Sequence, residues 1–242
     1  MRVQLIAHTP DPERLIAAAA KVCYSDVGAY GLYEGLDEEK TQAFIKRLSD
    51  MGHESPTEHA TYTFALEGVS RAFLAQITRH RLASFSVQSQ RYVKAGEPNY
   101  YIPDAIKKDL IIEDHYKTYI EEAYRHYHEI AWKLYNIFKN EGMNEREADK
   151  KAIENARYLL PNAACTNMVV TMNARELMHF FSLRCCNRAQ DEIRDVADEM
   201  LKQCREVSPQ IFKNAGPACI RGKCPEGKMT CGRPRMELKI GD

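Results

Sequence analysis

Residues 79–92 of the chain are Arg-His-Arg-Leu-Ala-Ser-Phe-Ser-Val-Gln-Ser-Gln-Arg-Tyr. This 79–92 segment holds three arginines, a histidine and three serines within fourteen positions. Arginine donates hydrogen bonds in a fixed bidentate geometry, which suits phosphates and the edges of planar heterocycles. A solvated basic turn is the alternative interpretation. The serines, the glutamines and the neighbouring apolar residues favour a walled anion pocket.

The residues before this segment predict a strand followed by a helix. Tyr62, Phe64 and Leu66 alternate with smaller residues, which is the period of a half-buried strand, and Gly68 is expected to end it. Ser70 can cap a helix that runs to about residue 79. On that helix Gln76, Arg79 and His80 would share one face because of their i, i+3, i+4 spacing. The apolar residues that can anchor it are Phe73, Leu74 and Ile77.

The rest of the chain predicts an α+β fold, a single domain with a central, mostly antiparallel sheet flanked by long helices. Further strands are expected at residues 2–8 and 166–172, and a loop at 96–104. Helices are expected at 10–22, from the Asp37 cap to about 51, and at 112–140, 144–160, 174–183 and 188–207. We expect one domain over 1–216 and an irregular tail containing Cys, Gly and Pro over 217–242.

Composition limits the class of protein. The chain has 242 residues, 44% of them hydrophobic, and equal numbers of basic and acidic residues, 34 each. The absence of a basic excess argues against binding to nucleic acid. We find neither a signal peptide nor an apolar run of the roughly 20 residues that a membrane span needs. We therefore expect a cytoplasmic protein with no membrane partner.

The eight cysteines do not indicate a disulfide-rich mini-protein in a chain of this length. Cys219, Cys224 and Cys231 could form a zinc site with Cys204, but structural zinc sites usually have pairs spaced two to four residues apart. We expect no metal. Cys185 and Cys186 could suggest a thiol nucleophile, yet neither has an evident histidine partner in the sequence.

A second segment, residues 53–59, is His-Glu-Ser-Pro-Thr-Glu-His. Two histidines and two glutamates could suggest a metal site, but the histidines are six positions apart with a proline between them. A metalloprotease helix needs them four apart on one face. Ser55 and Glu58 also have the spacing of a helix capping box, with proline at the first helical position.

A third segment, residues 173–184, is Asn-Ala-Arg-Glu-Leu-Met-His-Phe-Phe-Ser-Leu-Arg. If it is helical, Arg175 and His179 share a face, and Arg184 continues the opposite, apolar face. An arginine in that position needs an anionic or strongly polar partner. A structural carboxylate is the usual partner, and a bound anion is the other candidate.

Together these segments resemble the flavin-dependent thymidylate synthase family. Arg79-His80-Arg81, seven further residues and then Ser89 match the family signature, and Ser84 and Arg91-Tyr92 fall where the family carries them. Residues 52–59 are similar to the family stretch Gly-His-Glu-Ser/Thr-Pro-x-Glu-His. The resemblance extends over most of the chain.

The resemblance implies site residues. The FAD-binding set would be His53, Ser55, Arg79, His80, Arg81, Asn173, Arg175 and His179. The dUMP-binding set would be Gln76, Arg79, Gln88, Ser89, Gln90, Arg91, Arg157 and Arg184. Arg184 would be the catalytic residue, since the family arginine at this position binds the pyrimidine and favours its N3-deprotonated character. Val87 departs from the family, which often has Glu or Gln there.

The resemblance also implies a reaction. It is the reductive methylation of dUMP to dTMP, with 5,10-methylenetetrahydrofolate as carbon donor, NADPH-reduced FAD as hydride source and no enzyme nucleophile. The implied assembly is a homotetramer whose active sites contain residues of several chains. Two alternatives stay open: a nucleotide-binding module without catalysis, and a folate-only synthase with a cysteine nucleophile.

Overall fold

The computed structural model describes residues 1–240 and has a four-stranded sheet in the order β1-β2-β4-β3. The strands are β1 Arg2–His8, β2 Thr61–Ser70, β3 Ala83–Val87 and β4 Cys165–Asn173. Residues Thr63 and Gly68 of β2 contact Thr171 and Asn167 of β4, so the two strands run antiparallel. The predicted α+β class with a mostly antiparallel sheet is confirmed.

Helices occupy most of the rest of the chain. They are α1 Pro12–Val22, α2 Ala29–Glu34, α3 Glu38–Asp50, α4 Arg71–Ile77, α5 Asp104–Lys107, α6 Leu110–Asn140, α7 Glu145–Ala156, α8 Ala174–Arg184 and α9 Asp191–Val207. Short 3-10 helices lie at Ser55–His59, Arg157–Leu159, Ala218–Ile220, Gly227–Met229 and Met236–Leu238.

The chain forms two compact units. Unit 1 contains Met1 and residues 67–77 and 86–168, and unit 2 contains residues 2–66, 78–85 and, as far as it is described, 169–240. Strands β2, β3 and β4 therefore each contribute residues to both units.

The core of unit 2 is aromatic. Tyr62, Phe180, Phe181 and Phe212 are almost fully buried, and the rings of Tyr62 and Phe212 meet edge to face with centroids 5.2 Å apart. The Tyr62 hydroxyl shares a hydrogen bond of 2.7 Å with the Ser208 hydroxyl, so the polar end of this ring is satisfied inside the core. The alternating pattern of β2 supplies Tyr62, and the apolar face of α8 supplies the two phenylalanines.

The core of unit 1 lies along the 31-residue helix α6. Tyr127 and Ala131 of α6 pack with Ile153 and Ala156 of α7. Asp109 begins α6 by accepting hydrogen bonds from two backbone N–H groups of the first turn. The small alanines allow the two helices to approach closely.

Two caps were predicted correctly. The Asp37 carboxylate accepts from Lys40 N at the start of α3, and the Ser70 hydroxyl accepts from Phe73 N at the start of α4. Gly68, however, does not end β2. It takes a positive φ of 68° within the strand, and its N–H donates to the Asn167 side chain. Glycine tolerates this conformation, so the strand continues to Ser70.

The predicted capping box at residues 55–58 is wrong. The segment is a single 3-10 helix that begins at Ser55, so its N-cap is Glu54, whose side chain makes no capping hydrogen bond. Thr57 donates its hydroxyl to the Glu54 carbonyl instead. The Glu58 carboxylate is bonded to Arg175, so it is committed to a tertiary partner rather than to the helix end.

The predicted helical face of Gln76, Arg79 and His80 is also wrong. Helix α4 ends at Ile77, so Arg79 and His80 lie beyond its last turn. The 79–92 segment contains strand β3, in which Ala83, Phe85 and Val87 alternate with two serines. Sequence reasoning missed it because so short an alternation gives only a weak signal. Helices α2 and α5 were missed as well, since elements this short have little periodicity.

The tail is tied to unit 2 through Arg235. Its guanidinium donates to the Asp198 carboxylate at 2.8 Å and to the Cys185 carbonyl at 2.9 Å. The domain boundary at residue 216 stays a prediction, and residues 241 and 242 of the predicted tail lie outside the described residues. Within residues 1–240, no helix has the length and apolar character of a membrane span, and no group of three or more Cys, His, Asp or Glu side chains could hold a metal ion.

Gln203 of α9 completes the outer strand β1. Its side-chain carbonyl accepts from Leu5 N at 2.6 Å, and its amide donates to the Val3 carbonyl at 2.9 Å. A side-chain amide thus occupies the place that a further strand would take on this edge of the sheet.

We expect Gln203→Met to lower the free energy of unfolding by about 1–2 kcal/mol, because it removes both hydrogen bonds to β1 while it preserves helix propensity and volume. It also removes the bond from Nε2 to Oε1 of Glu199 at 2.8 Å within α9. Urea unfolding followed by circular dichroism measures this. The neighbouring Lys202→Met, at an exposed position, is the control and should change stability by less than about 0.5 kcal/mol. Equal effects of the two substitutions would contradict the assignment.

Candidate active site

The larger cavity of unit 2, which we call the α8 cavity, has a volume of about 670 Å³. Its lining includes three residues that the sequence assigned to a common site: Asn173, Arg175 and His179. Glu58, Ser182 and Arg221 also line it. Arg221 belongs to the tail, and nothing in the sequence pattern placed it here.

The first turn of α8 determines how these side chains are presented. The Asn173 side chain accepts from Glu176 N at 2.9 Å and so begins the helix. Arg175 and His179 follow at i, i+4 spacing and line one wall of the α8 cavity, as predicted. Arg175 is bonded to the Glu58 carboxylate, which orients its guanidinium and balances its charge.

His80 is buried beside α8, with 5% of its surface exposed. Its Nδ1 lies 3.0 Å from Oε1 of Glu176, and its Nε2 lies 3.2 Å from Nε of Arg184. The imidazole packs edge to face on Phe180 with ring centroids 4.9 Å apart. Both ring nitrogens are therefore engaged within the chain.

Burial lowers the pKa of His80, the hydrogen bond that the Glu176 carboxylate accepts raises it, and the positive charge of Arg184 lowers it further, so that the pKa is lowered overall. The imidazole is accordingly neutral at physiological pH. Since a carboxylate only accepts and an arginine only donates, the ring carries its proton on Nδ1 and accepts at Nε2. Glu176, His80 and Arg184 thus form a continuous chain of hydrogen bonds, which we call the buried triad.

Arg184 lies at the last position of α8 and is partly buried. Burial and the nearby charge of Arg79 both lower its pKa, although a guanidinium remains protonated. Two arginines close enough to repel each other favour an anion between or beside them.

The other residues that the resemblance assigned to FAD are more dispersed within unit 2. His53 lines a smaller cavity of about 120 Å³, and both cavities are bordered by Glu54, Met178 and Arg221. Ser55, Arg79 and Arg81 are exposed, and they are absent from the described residues that line these two cavities.

Unit 1 has a cavity of about 210 Å³, which we call the unit 1 cavity. Gln88, Ser89 and Gln90 line it together, as the resemblance implied for a common ligand. Arg91 lies next to them in sequence and donates to the Glu154 carboxylate at 3.2 Å. The two remaining predicted residues of this unit, Gln76 and Arg157, are absent from the lining.

Arg71 is a functional candidate that sequence reasoning missed. It lines the unit 1 cavity and donates through Nη2 to the Gln88 carbonyl at 3.0 Å. Its Nε is buried and has no hydrogen-bond partner among the described residues, and burial together with Arg157 lowers its pKa. A partly buried guanidinium with an unsatisfied Nε donor beside a second cation suits an anionic ligand. The available signal was an arginine set between the buried residues Ser70 and Phe73.

Val87 lies half-buried at the end of β3, where the family often has a polar residue. The next residue, Gln88, bonds through its backbone N–H to the Asn167 carbonyl and through its side chain to the Asn167 amide. Asn167 thus holds Gln88 at the rim of the unit 1 cavity.

The cysteines differ in their surroundings. Cys185 and Cys204 are fully buried, and burial raises the pKa of both thiols, so neither is a ready thiolate. Cys165 lines the unit 1 cavity, with Sγ 3.4 Å from the Gly68 carbonyl.

Comparisons with known proteins match nearly the whole chain. Residues 4–210 match a family model described as thymidylate synthase complementing protein. A flavin-dependent thymidylate synthase of Clostridium tetani is 49% identical over 240 residues, which is 99% of this chain and 96% of the relative. Enzymes of the same name from Geobacter sulfurreducens and Pyrococcus furiosus are 44% and 39% identical, covering 96% and 93% of this chain and 94% and 90% of theirs.

The lowered pKa of His80 predicts a pH dependence of stability. Below about pH 6.5 the unfolded chain binds a proton at His80 that the folded protein does not, so the free energy of unfolding falls with falling pH until the folded pKa is reached. Above that range this residue contributes no pH dependence. His80→Asn, which keeps one donor and one acceptor, should flatten the dependence between about pH 7 and about pH 5.5 in urea unfolding.

The control for this measurement is His59→Asn at an exposed position, which should keep the slope of the unsubstituted protein. An unchanged slope in His80→Asn would mean that folding does not lower the pKa of His80.

Proposed function

Because this chain belongs to the flavin-dependent thymidylate synthase family, we propose that it carries out the reductive methylation of dUMP to dTMP. The carbon donor is 5,10-methylenetetrahydrofolate, the cofactor is FAD and the reductant is NADPH. The observation that carries the proposal is the partly buried Arg184, oriented by His80 at the end of the helix that also lines the α8 cavity.

The α8 cavity suits a flavin in size and in donors. Its volume lies within the roughly 300–1,000 Å³ of small-molecule sites. Asn173, Arg175 and His179 offer an amide, a cation and an imidazole on one wall, and Arg221 adds a second cation. We assign FAD to this cavity, with further contacts from His53, Ser55, Arg79 and Arg81. When bound, reduced FAD supplies the hydride of the reaction.

In this proposal His80 orients Arg184. Its ring nitrogens are engaged by Glu176 and Arg184, so it acts on the ligands through Arg184 rather than by direct contact with FAD. His53 borders the smaller cavity, which has Glu54 and Met178 in common with the α8 cavity. This position supports a role for His53 near both flavin and folate.

We assign the dUMP anion to the residues around the unit 1 cavity. Gln88, Ser89 and Gln90 line it, and Arg71 brings a partly buried guanidinium whose Nε is an unsatisfied donor. Gln76, Arg91 and Arg157 complete the set, together with Arg79 and Arg184 of unit 2. A homotetramer with active sites built from several subunits is part of this proposal.

Arg184 supplies the chemical activation in this proposal. The C5 atom of uracil must attack a one-carbon unit, and negative charge develops on the pyrimidine as it does so. A fixed guanidinium in a partly dehydrated site stabilises that charge without reorganisation. Ser89 is assigned to hydrogen bonding with the substrate, not to nucleophilic attack.

The folate-only synthase with a cysteine nucleophile is the second candidate, because Cys165 lines the unit 1 cavity. Cys185 and Cys204 are poor candidates, since burial keeps their thiols protonated. All eight cysteines are free thiols, which suits the reducing cytoplasm where we place the enzyme.

The first experiment is the absorbance spectrum of the purified protein, followed by NADPH oxidation without air, with and without dUMP. A flavin spectrum that NADPH bleaches, together with formation of dTMP in the presence of the folate, is the expected result. A protein that takes up no FAD but binds dUMP would instead be a nucleotide-binding module.

Arg184→Ala should lower the turnover of dUMP by about a hundredfold or more, because it removes the charge that stabilises the activated pyrimidine. The FAD content, measured by absorbance, should change far less. Arg188→Ala, which removes an exposed arginine shortly after α8, is the control and should keep turnover. Loss of flavin with normal dUMP affinity in Arg184→Ala would contradict the assignment.

Cys165→Ala should keep dTMP formation, because no enzyme nucleophile is needed in the proposed reaction. A 5-fluoropyrimidine analogue of dUMP should likewise form no covalent adduct with the unsubstituted protein, as measured by intact-protein mass spectrometry. An adduct at Cys165 that disappears in Cys165→Ala would establish the folate-only mechanism instead.

A further inference from the structure

We propose that Glu176 is a positioning residue for pyrimidine binding, which acts through His80 to hold the guanidinium of Arg184 in place. This inference rests on the proposed function, since it gives a role to the residues behind the proposed catalytic arginine. It concerns the buried triad of Glu176, His80 and Arg184, all within unit 2.

Glu176 is fixed at both ends. Its backbone N–H donates to the Asn173 side chain at the start of α8, and its carboxylate accepts from His80. Only 7% of the residue is exposed. Burying a carboxylate costs free energy unless the carboxylate is hydrogen-bonded. The bond to His80 is therefore strongly favoured over a state in which the buried Glu176 carboxylate has lost this bond.

The carboxylate selects the tautomer of His80. A neutral imidazole has one N–H and one lone pair, and Glu176 claims the N–H at Nδ1. The lone pair is then on Nε2, where it accepts from Nε of Arg184. Without Glu176 the ring could carry its proton on Nε2, and the bond to Arg184 would be replaced by repulsion between two donors.

A relay is needed because of the helix geometry. Glu176 and Arg184 are eight residues apart on α8, which corresponds to about 12 Å of rise. The Glu176 carboxylate is therefore too far along the helix to bind the Arg184 guanidinium directly. His80, from the segment between α4 and β3, spans the interval, and its packing on Phe180 fixes the plane of the ring.

The bond at Nε defines the plane of the Arg184 guanidinium, and the direction in which its Nη donors point follows from that plane. A guanidinium that can rotate would lose the bidentate geometry suited to a planar pyrimidine edge. A loosened triad should therefore weaken dUMP recognition first. Glu176 also lines the α8 cavity, but its carboxylate is engaged by His80 and the residue is only 7% exposed, so flavin binding should be largely preserved. Asn173, Arg175 and His179 do not depend on the bond between Glu176 and His80.

The decisive comparison is between Glu176→Met and Glu176→Gln, with KM for dUMP, kcat and FAD content measured for each. Methionine fills the volume without accepting a hydrogen bond, and it should raise KM for dUMP about tenfold or more at unchanged FAD content. Glutamine keeps an acceptor oxygen for Nδ1–H and should restore most of the affinity. Glu176→Asp keeps the charge but shortens the reach, so it should raise KM like methionine; it serves as the second variant if Glu176→Met does not fold.

Glu192→Met is the matched control, since Glu192 is a second buried glutamate of unit 2, on α9, with 2% of its surface exposed. It should lower the melting temperature without raising KM for dUMP. A purely structural role of Glu176 would give the same result in Glu176→Met. That outcome, or a loss of FAD with unchanged KM for dUMP, would overturn the proposal.

An experiment independent of turnover separates this inference from the proposed function. Nitrogen-15 NMR of the histidine rings, with His80→Asn used to assign the signal, should show a neutral ring protonated at Nδ1 near pH 7. A signal for Nε2–H or for the imidazolium would refute the relay even in an active enzyme. An enzyme without dUMP turnover that shows the Nδ1–H form would contradict the proposed function and leave the tautomer selection established.

Discussion

The hydrogen bond between the Glu176 carboxylate and the His80 imidazole imposes order on the rest of the site. It joins the start of α8 to the segment that precedes β3, and the His80 ring that makes this bond packs on Phe180. Neither group can leave the other without an unsatisfied polar atom in the core. The helix that carries Arg175, His179 and Arg184 is therefore held in one rotational setting relative to the 79–81 triplet.

Much of the fold could be predicted from the sequence, because its long elements have strong periods. The alternation in β2, the caps at Asp37 and Ser70 and the extent of α6 each follow from local chemistry that tertiary contacts reinforce. Strand β3 and the end of α4 could not be predicted in the same way. Strand β3 depends on pairing with β4, whose residues lie about eighty positions later in the chain.

The candidate site shows the same division. The spacing of Arg175 and His179 predicted their common wall, since a helical face is a local property. The roles of Glu176 and Arg71 were missed because they depend on partners that the sequence separates widely. In the sequence, Glu176 looks like an ordinary acidic residue of a first helical turn. Its partner His80 lies 96 positions away, so the sequence pattern does not show the pairing. The resemblance assigned His80 to the flavin, and in the structure its ring nitrogens contact Glu176 and Arg184.

Arg235 gives the tail a mechanical connection to this site. Its guanidinium donates to the carbonyl of Cys185, the residue directly after Arg184, and to the carboxylate of Asp198 of α9. It thereby links the end of α8 to α9. The family model matches residues 4–210, whereas the Clostridium tetani relative matches 99% of this chain, so Arg235 lies beyond the range of the family model but within the range shared with that relative. A substitution of Arg235 would accordingly loosen the helix end that presents Arg184. Substrate affinity would then change with every residue of the ligand site unchanged.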